Sequence, residues 1–290
     1  MSTWKMLDRR STLKAGMGMA AGLSLFENRL AADAEGRKSN NNLRQSVCRW
    51  CYKDTPLEEL ARNAAQIGLR SVELLTPEEW PTAIKYGLTC AMGSGADQIH
   101  IGFNRTENHD TRIANLTRHI ELAAEAGIPN IICFSGNRNG MSDEEGLENC
   151  VLGLKRVVGL AEKKQVTICM ELLNSKVNHK DYMCDHTEWG VKLVKKVASP
   201  RFKLLYDIYH MQIMEGDVIR TVQENFDYIA HFHTGGNPGR NEIDDTQELN
   251  YSAICRAILN KGFNGYLAQE FIPKRDPMTS LRQAFWICDV

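Results

Sequence analysis

From residue 46 onward the chain predicts a closed (β/α)8 barrel, on three observations. Eight short apolar runs, many of them β-branched, each precede a segment with helical periodicity. Alternating βα units build a parallel sheet covered by helices, and eight of them in about 245 residues match the usual size of such a barrel. The competing open, doubly wound sheet usually carries a glycine-rich phosphate turn after its first strand. Here Cys51-Tyr52-Lys53-Asp54-Thr55 stands in that place, and neither GxGxxG nor GxxxxGK[ST] occurs anywhere.

The first strand is expected at residues 46–51. Its helix runs from Leu57 to Ile67, opened by Thr55-Pro56 and stopped by Gly68, a proline-start and glycine-stop pair. A strand at 71–75 leads to a short helix near 77–86. A third strand at 88–92 precedes a helix at 110–126 that stops at Gly127. The fourth strand, 130–134, is followed by a long helix at 142–164 that opens on Ser142-Asp143-Glu144-Glu145, an N-terminal signature. The fifth strand, 166–172, leads to a helix at 188–197 that stops before Pro200. Strands at 203–207, 228–233 and 265–271 alternate with helices at 217–225, 251–260 and 277–287. No internal repeat beyond this alternation and no second domain is expected.

Composition narrows the function. The chain has 290 residues, 43% hydrophobic and 24% charged, enough to bury a sizeable core. Lys and Arg total 35 against 36 Asp and Glu, so no basic excess points to nucleic acid or an anionic membrane. No apolar run reaches the roughly 20 residues that span a bilayer. Nine cysteines, an odd count scattered from Cys48 to Cys288, are too sparse for a disulfide framework and read as buried thiols. Cys48-Arg49-Trp50-Cys51 has CxxC spacing but falls in the expected first strand, where residues three apart face opposite sides.

The first 34 residues read as an address. Arg9-Arg10 precedes a mildly apolar stretch, Ala15 to Phe26, and then Ala32-Asp33-Ala34. This layout resembles a twin-arginine export signal cleaved after Ala34, with residues 35–45 as a polar linker and 46–290 as the catalytic barrel. The alternative is a cytoplasmic chain with an amino-terminal extension. Export of an already folded chain fits reduced, buried thiols.

In a barrel of this kind the working face lies at the carboxyl ends of the strands. The fifth strand ends on Glu171, the sixth on Asp207, the seventh on His233 and the eighth on Glu270. Unpaired buried carboxylates cost several kcal/mol, and three converging ones repel each other, so a divalent cation is the economical partner. Three carboxylates and one imidazole form a hard, oxygen-rich site suited to Mn²⁺ or Mg²⁺, with Co²⁺ or catalytic Zn²⁺ as alternatives. His231 shares the parity of His233 one layer deeper and reads as a hydrogen-bonded core residue. His100, His109, His119, His179 and His186 show no such alignment and read as surface or loop residues, with His100 and His186 placed where substrate loops could carry them.

Three segments together resemble the hydroxypyruvate isomerase family of xylose-isomerase-like TIM barrels. They are Glu171-Leu172-Leu173-Asn174-Ser175, then Asp207-Ile208-Tyr209-His210-Met211-Gln212, then His233-Thr234-Gly235-Gly236-Asn237-Pro238-Gly239-Arg240-Asn241-Glu242. Glu248-Leu249-Asn250-Tyr251 and Gly262-Phe263-Asn264-Gly265-Tyr266, leading to Gln269-Glu270-Phe271, continue the match in order. The resemblance implies that Glu171, Asp207, His233 and Glu270 hold the metal. It further implies that Glu171 and Glu270 are the acid/base pair and that His210 and Arg240 contact substrate oxygens. Members close to hydroxypyruvate isomerase commonly carry Gln where this chain has His233, whereas related ketose 3-epimerases carry His. Those epimerases usually have a further Glu just past the strand-five ligand, and residues 172–180 hold no carboxylate. The Pro-Gly-Arg-Asn-Glu loop favours the isomerase.

The expected reaction is an aldose–ketose type isomerisation of a small hydroxy-carbonyl compound, hydroxypyruvate to tartronate semialdehyde, without an organic cofactor. One glutamate removes a proton beside the carbonyl to give an enediolate and the other returns one to the neighbouring carbon. Arg240 suits a substrate carboxylate through its planar fork; its alternative role is a salt bridge to Glu242 or Asp244. The competing activities are a ketose 3-epimerase, a keto-sugar or inosose dehydratase, and an exported non-catalytic sugar-binding barrel. An apurinic endonuclease would need more histidine ligands and a basic groove. The only partners expected are a small-molecule substrate and, through exposed barrel faces, a second copy of the chain.

Overall fold

The computed structural model describes residues 38–95 and 98–290. The expected export signal at 1–34 lies outside the described residues. Asn41–Val290 forms one compact unit, so the expected linker at 35–45 ends inside the barrel domain. The first strand, β1, spans Arg44–Cys48 rather than 46–51, and Arg49–Tyr52 turn as a 3₁₀ helix. Cys51 therefore sits in a turn. All nine cysteines are buried thiols outside any disulfide, as expected for small apolar side chains.

The order continues with α1 (Leu57–Ile67), β2 (Ser71–Glu73), α2 (Trp80–Lys85), α3 (His109–Ala126), β3 (Asn130–Cys133), α4 (Asp143–Lys155) and α5 (Val158–Lys164). Then come β4 (Thr167–Glu171), α6 (Thr187–Val197), β5 (Phe202–Asp207), α7 (Ile208–Met214), α8 (Val218–Asn225), β6 (Ile229–Thr234), α9 (Tyr251–Asn260), β7 (Tyr266–Gln269) and α10 (Pro277–Cys288). All paired strands are parallel, in the order β2-β1-β7-β6-β5-β4-β3.

The expected third strand at 88–92 is not a regular strand, yet it closes the barrel. Val72 N–H donates to Thr89 O at 3.2 Å and Leu74 N–H to Met92 O at 2.7 Å on the β2 side. On the other side Gly93 N–H donates to Asn130 O at 2.8 Å and Gly93 O accepts from Ile132 N–H at 3.1 Å. The eight-unit count thus holds, with one unit joined by single bridges rather than a ladder.

Three further points differ from the expectations. The helix at 142–164 is two helices with a break after Lys155; Leu147, Cys150, Val151, Leu154, Val158 and Ala161 keep one buried stripe across it, so the sequence reads as continuous. Residues after Asp207 form α7 because the Asp207 side chain caps it, Oδ1 accepting from His210 N–H at 3.0 Å. His109 and His119 are buried rather than superficial: His109 Nε2 lies 2.9 Å from Phe103 O and His119 Nδ1 2.8 Å from Asn115 O.

Strand alternation sets two layers. Val47, Val72, Tyr206 and Phe232 face the helices, while Cys48, Glu73, His231 and His233 meet inside the barrel. No helix among the described residues is long and apolar enough to cross a membrane.

Candidate active site

At the carboxyl end of the barrel, one ligand atom each from Glu171, Asp207, His233 and Glu270 lies within 4.8 Å of every other. Glu171 and Asp207 end β4 and β5, His233 lies near the end of β6, and Glu270 follows β7 directly. Hydrogen-bonded register explains the convergence: Asp207 pairs with His233, and His233 with Ala268 two residues before Glu270. Glu171 pairs with Leu205, two residues before Asp207, so the four step along neighbouring strands by two, none and two residues, and their side chains meet at the carboxyl end.

Around this cluster lie the two expected substrate contacts. Arg240 is buried, its Nη2 reaching Asp207 Oδ2 at 2.8 Å and also Glu270 Oε2. Its Nε donates to Glu270 O at 3.1 Å, and its Nη1 lies 2.6 Å from His210 Nε2. The expected alternative, a bridge to Glu242 or Asp244, belongs instead to Arg275, whose Nη2 lies 2.6 Å from Asp244 Oδ2 and whose backbone N–H donates to Glu242. Arg240 is delivered by a tight loop closed by Gly236 N–H donating to Asn241 O at 2.8 Å. A Cβ on Gly236 would stand 2.1 Å from Glu242 O, so only glycine fits.

His210 is fixed from the opposite side. Asn174 N–H donates to its Nδ1 at 3.2 Å, and the Asn174 side-chain oxygen caps the following turn by accepting from Val177 and Asn178 N–H. Burial, then the neighbouring Arg240 charge, holds the ring's pKa well below its ordinary value, so His210 stays neutral.

The two glutamates sit in different electrostatic settings. Burial pushes the Glu171 carboxyl up to about 7, and the Glu270 and Asp207 charges add to it against the opposing His233 contact. Burial would also raise Glu270, but Arg240 and then His233 outweigh it and hold that carboxyl below the ordinary range. His233 is pulled well above its ordinary value, Glu270 overcoming the effect of burial. Its Nδ1 approaches Glu270 Oε2 to 2.6 Å and Glu171 Oε1 to 3.4 Å, yet neither contact has hydrogen-bond geometry and the buried atom is left without a partner. An orphaned imidazole nitrogen facing hard carboxylate oxygens fits a divalent cation of the Mn²⁺ or Mg²⁺ kind.

Two residues of this region, Glu73 and Trp50, have no counterpart in the expectations above, and a third, His179, is expected there only as a surface or loop residue. Glu73, fully buried at the end of β2, accepts from the Nε2 atoms of His231 and His233 at 2.8 and 2.9 Å. Trp50, 42% exposed, donates its indole N–H to Glu270 Oε1 at 2.7 Å and presents its ring to Arg240. His179, not His100 or His186, stands beside the site, its ring 5.2 Å from that of His210. His186 is exposed and paired with Asp185. The signal for Glu73 was present: β2 also ends on a carboxylate, and two histidines alternating on β6 both face inward and need a partner.

A family model described as xylose isomerase-like TIM barrel matches residues 52–287. A putative hydroxypyruvate isomerase of Homo sapiens is 25% identical over 244 residues, covering 82% of this chain and 83% of its own. The hydroxypyruvate isomerase of Escherichia coli is 31% identical over 167 residues, 56% of this chain and 63% of its own. A 2-oxo-tetronate isomerase of Cupriavidus necator is 27% identical over 224 residues, 73% and 85% respectively. Among solved structures, one described as an AP endonuclease of family 2 from Brucella melitensis superposes with a TM-score of 0.72 at 21% identity. That match covers 82% of this chain and 97% of the other. A 3-keto-D-glucoside 4-epimerase from E. coli superposes at 0.70 with 18% identity, covering 84% and 98%. These structural likenesses show the barrel fold.

Proposed function

The chain belongs to the xylose isomerase-like TIM barrel family, and from that membership we propose that it is a metal-dependent isomerase of a small hydroxy-carbonyl acid, converting hydroxypyruvate to tartronate semialdehyde. The observation that carries this proposal is the meeting of Glu171, Asp207, His233 and Glu270 at one end of the barrel with Arg240 beside them. The similarity to hydroxypyruvate and 2-oxo-tetronate isomerases supports an acid as substrate.

Glu171, Asp207, His233 and Glu270 would hold the cation, Mn²⁺ or Mg²⁺. When bound, it supplies Lewis acidity that polarises the carbonyl and acidifies the adjacent C–H. One glutamate, Glu171 or Glu270, takes the proton from the hydroxymethyl carbon, leaving an enediolate. The other delivers a proton to the neighbouring carbon, while a proton passes from one substrate oxygen to the other. No net oxidant or reductant is required. Trp50 holds one Glu270 oxygen and so fixes the direction of the other. Arg240 offers its fork to the substrate carboxylate, and neutral His210 contacts a substrate oxygen.

A screen of the Mn²⁺-loaded protein against hydroxypyruvate, 2-oxo-tetronate, free ketoses and keto-inositols in deuterated water tests this directly. Deuterium entering hydroxypyruvate next to its carbonyl is the expected result. Turnover confined to ketoses would move the activity to a 3-epimerase, turnover confined to keto-inositols to a dehydratase, and no turnover of any class to a non-catalytic sugar-binding barrel.

Chelation and pH give a second check. EDTA is expected to abolish turnover and Mn²⁺ to restore it; full activity after chelation would remove the metal from the proposal. Because Glu171 is raised to about 7 in the metal-free protein, a proton competes with the cation for it. Apparent Mn²⁺ affinity is therefore expected to fall as pH drops through 7, approaching about tenfold per pH unit below about 6, since binding must release that proton. Calorimetric titrations at pH 6 and 8 in two buffers of different ionisation enthalpy read both quantities. A pH-independent affinity would contradict the placement of Glu171 in the ligand set.

The proposal includes export through the twin-arginine segment. Fractionation of cells expressing the wild type and the paired Arg9→Lys, Arg10→Lys variant checks it, with retention of the variant in the cytoplasm as the expected result. Equal distribution of the two would contradict it.

A further inference from the structure

We propose that Glu73 is a positioning residue that holds His233 with Nε2–H pinned inside the barrel and Nδ1 turned toward Glu171, Asp207 and Glu270. This rests on the metal-site reading above. Glu73 touches neither substrate nor cation in that reading; it acts through the imidazole.

Three observations carry it. Glu73 Oε1 accepts from two rings at once, His231 Nε2 at 2.8 Å and His233 Nε2 at 2.9 Å, with all three side chains fully buried. An imidazole that donates from Nε2 to a carboxylate can offer only Nδ1 as a ligand atom, and Nδ1 is the buried nitrogen that faces Glu270 and Glu171 without a hydrogen-bond partner. The two rings stand at 84° to each other, centroids 5.1 Å apart, so His231 approaches Glu73 from a different direction and keeps the carboxylate from rotating off His233.

The arrangement makes little sense as stabilisation. Three ionisable side chains pack together in the barrel interior, and Glu73 Oε2 and His231 Nδ1 are buried without hydrogen-bond partners. Apolar side chains of the same volume would be at least as stable. What the cluster achieves is a single orientation and a more basic ring for His233, the usual effect of a carboxylate behind a metal-binding histidine. Cys48, with Sγ 3.8 Å from His233 Nε2 and 3.9 Å from Glu73 Oε1, closes the remaining side with a small, weakly polar group.

The test is a Mn²⁺ titration of the metal-free wild type, Glu73→Gln and His231→Asn, followed by electron paramagnetic resonance. Thermal unfolding of each metal-free protein and ¹⁵N-histidine spectra accompany it. Glu73→Gln keeps the volume and removes the charge; it is expected to weaken Mn²⁺ binding by roughly 10–100-fold. His231→Asn leaves the Glu73–His233 contact and is expected to cost severalfold, so the inference stays open to refutation if Glu73→Gln fails to fold. A downfield, slowly exchanging Nε2–H signal from His233 is expected in the wild type and not in Glu73→Gln, a change that a merely space-filling role would not produce. Mn²⁺ affinities within about twofold of wild type in every folded variant would overturn the role of Glu73 while leaving the metal site standing. A wild type that binds no Mn²⁺ would overturn both.

Discussion

Replacing Glu171 or Glu270 with Gln is expected to cut turnover by about 10²–10⁴-fold while the barrel still folds, the range for losing a positioned acid or base. Gln is isosteric and still offers an oxygen, but it cannot accept and return a proton. The two variants should differ in stability, which separates them from a general loss of structure. Glu171 has a folded pKa raised to about 7 against an unfolded value of about 4.3. The folded state therefore binds more protons than the unfolded one between those values, and the metal-free wild type loses stability as pH rises from about 4.3 to 7. Glu171→Gln removes that loss, so its advantage over wild type should grow from pH 5 to pH 8. Glu270→Gln is expected to be less stable than wild type by a similar amount at both pH values, because Arg240, His233 and Trp50 all hold the ionised carboxylate and its stabilisation is lost only below about pH 4.3. Thermal unfolding of metal-free proteins at the two pH values, beside a turnover assay on the Mn²⁺-loaded forms, reads all of this. Near-normal turnover of either variant would end its role in proton transfer.

Much of this site could be read from strand endings. An apolar run that finishes on a carboxylate or an imidazole is a poor choice for stability, and four in succession put four such groups at one end of a parallel barrel. That logic locates Glu171, Asp207, His233 and Glu270 because parallel strands all end at the same side of the sheet, where register offsets of no more than two residues still let the four side chains meet. It passed over Glu73, whose strand is only three residues long and is followed by Leu74 and Leu75, which blur its ending. Trp50 was out of reach for another reason: its contact depends on the 3₁₀ turn at Arg49–Tyr52, where an extended strand was expected. The partners of Arg240 were equally invisible. Sequence proximity favoured Glu242 and Asp244, but the loop folds back and hands those two to Arg275. The expected third strand shows the opposite case. The run at 88–92 was recognised by its apolar character even though its geometry supports only isolated bridges to its neighbours.

Arg240→Met is expected to separate the two roles that the guanidinium plays. Without a cation, Arg240 is the positive group lying against both Asp207 and Glu270, carboxylates that are buried in the site. Removing it leaves Asp207 without a cationic partner and Glu270 with His233 alone, so the metal-free variant should be less stable than wild type by about 3–5 kcal/mol, the cost of breaking a buried pair from one side. The same guanidinium also competes with a cation for Asp207 and Glu270. Mn²⁺ should therefore bind the variant more tightly, and saturating Mn²⁺ should raise its melting temperature by more than it raises that of the wild type. Turnover should not follow stability. With the substrate carboxylate deprived of its bidentate partner, kcat/KM for hydroxypyruvate is expected to fall on the order of 10–100-fold even in the metal-loaded, restabilised variant. Differential scanning fluorimetry with and without Mn²⁺, and steady-state kinetics on the loaded protein, measure the two effects independently. A metal-free variant as stable as wild type would show that Asp207 and Glu270 do not need Arg240. Undiminished kcat/KM would remove it from substrate binding.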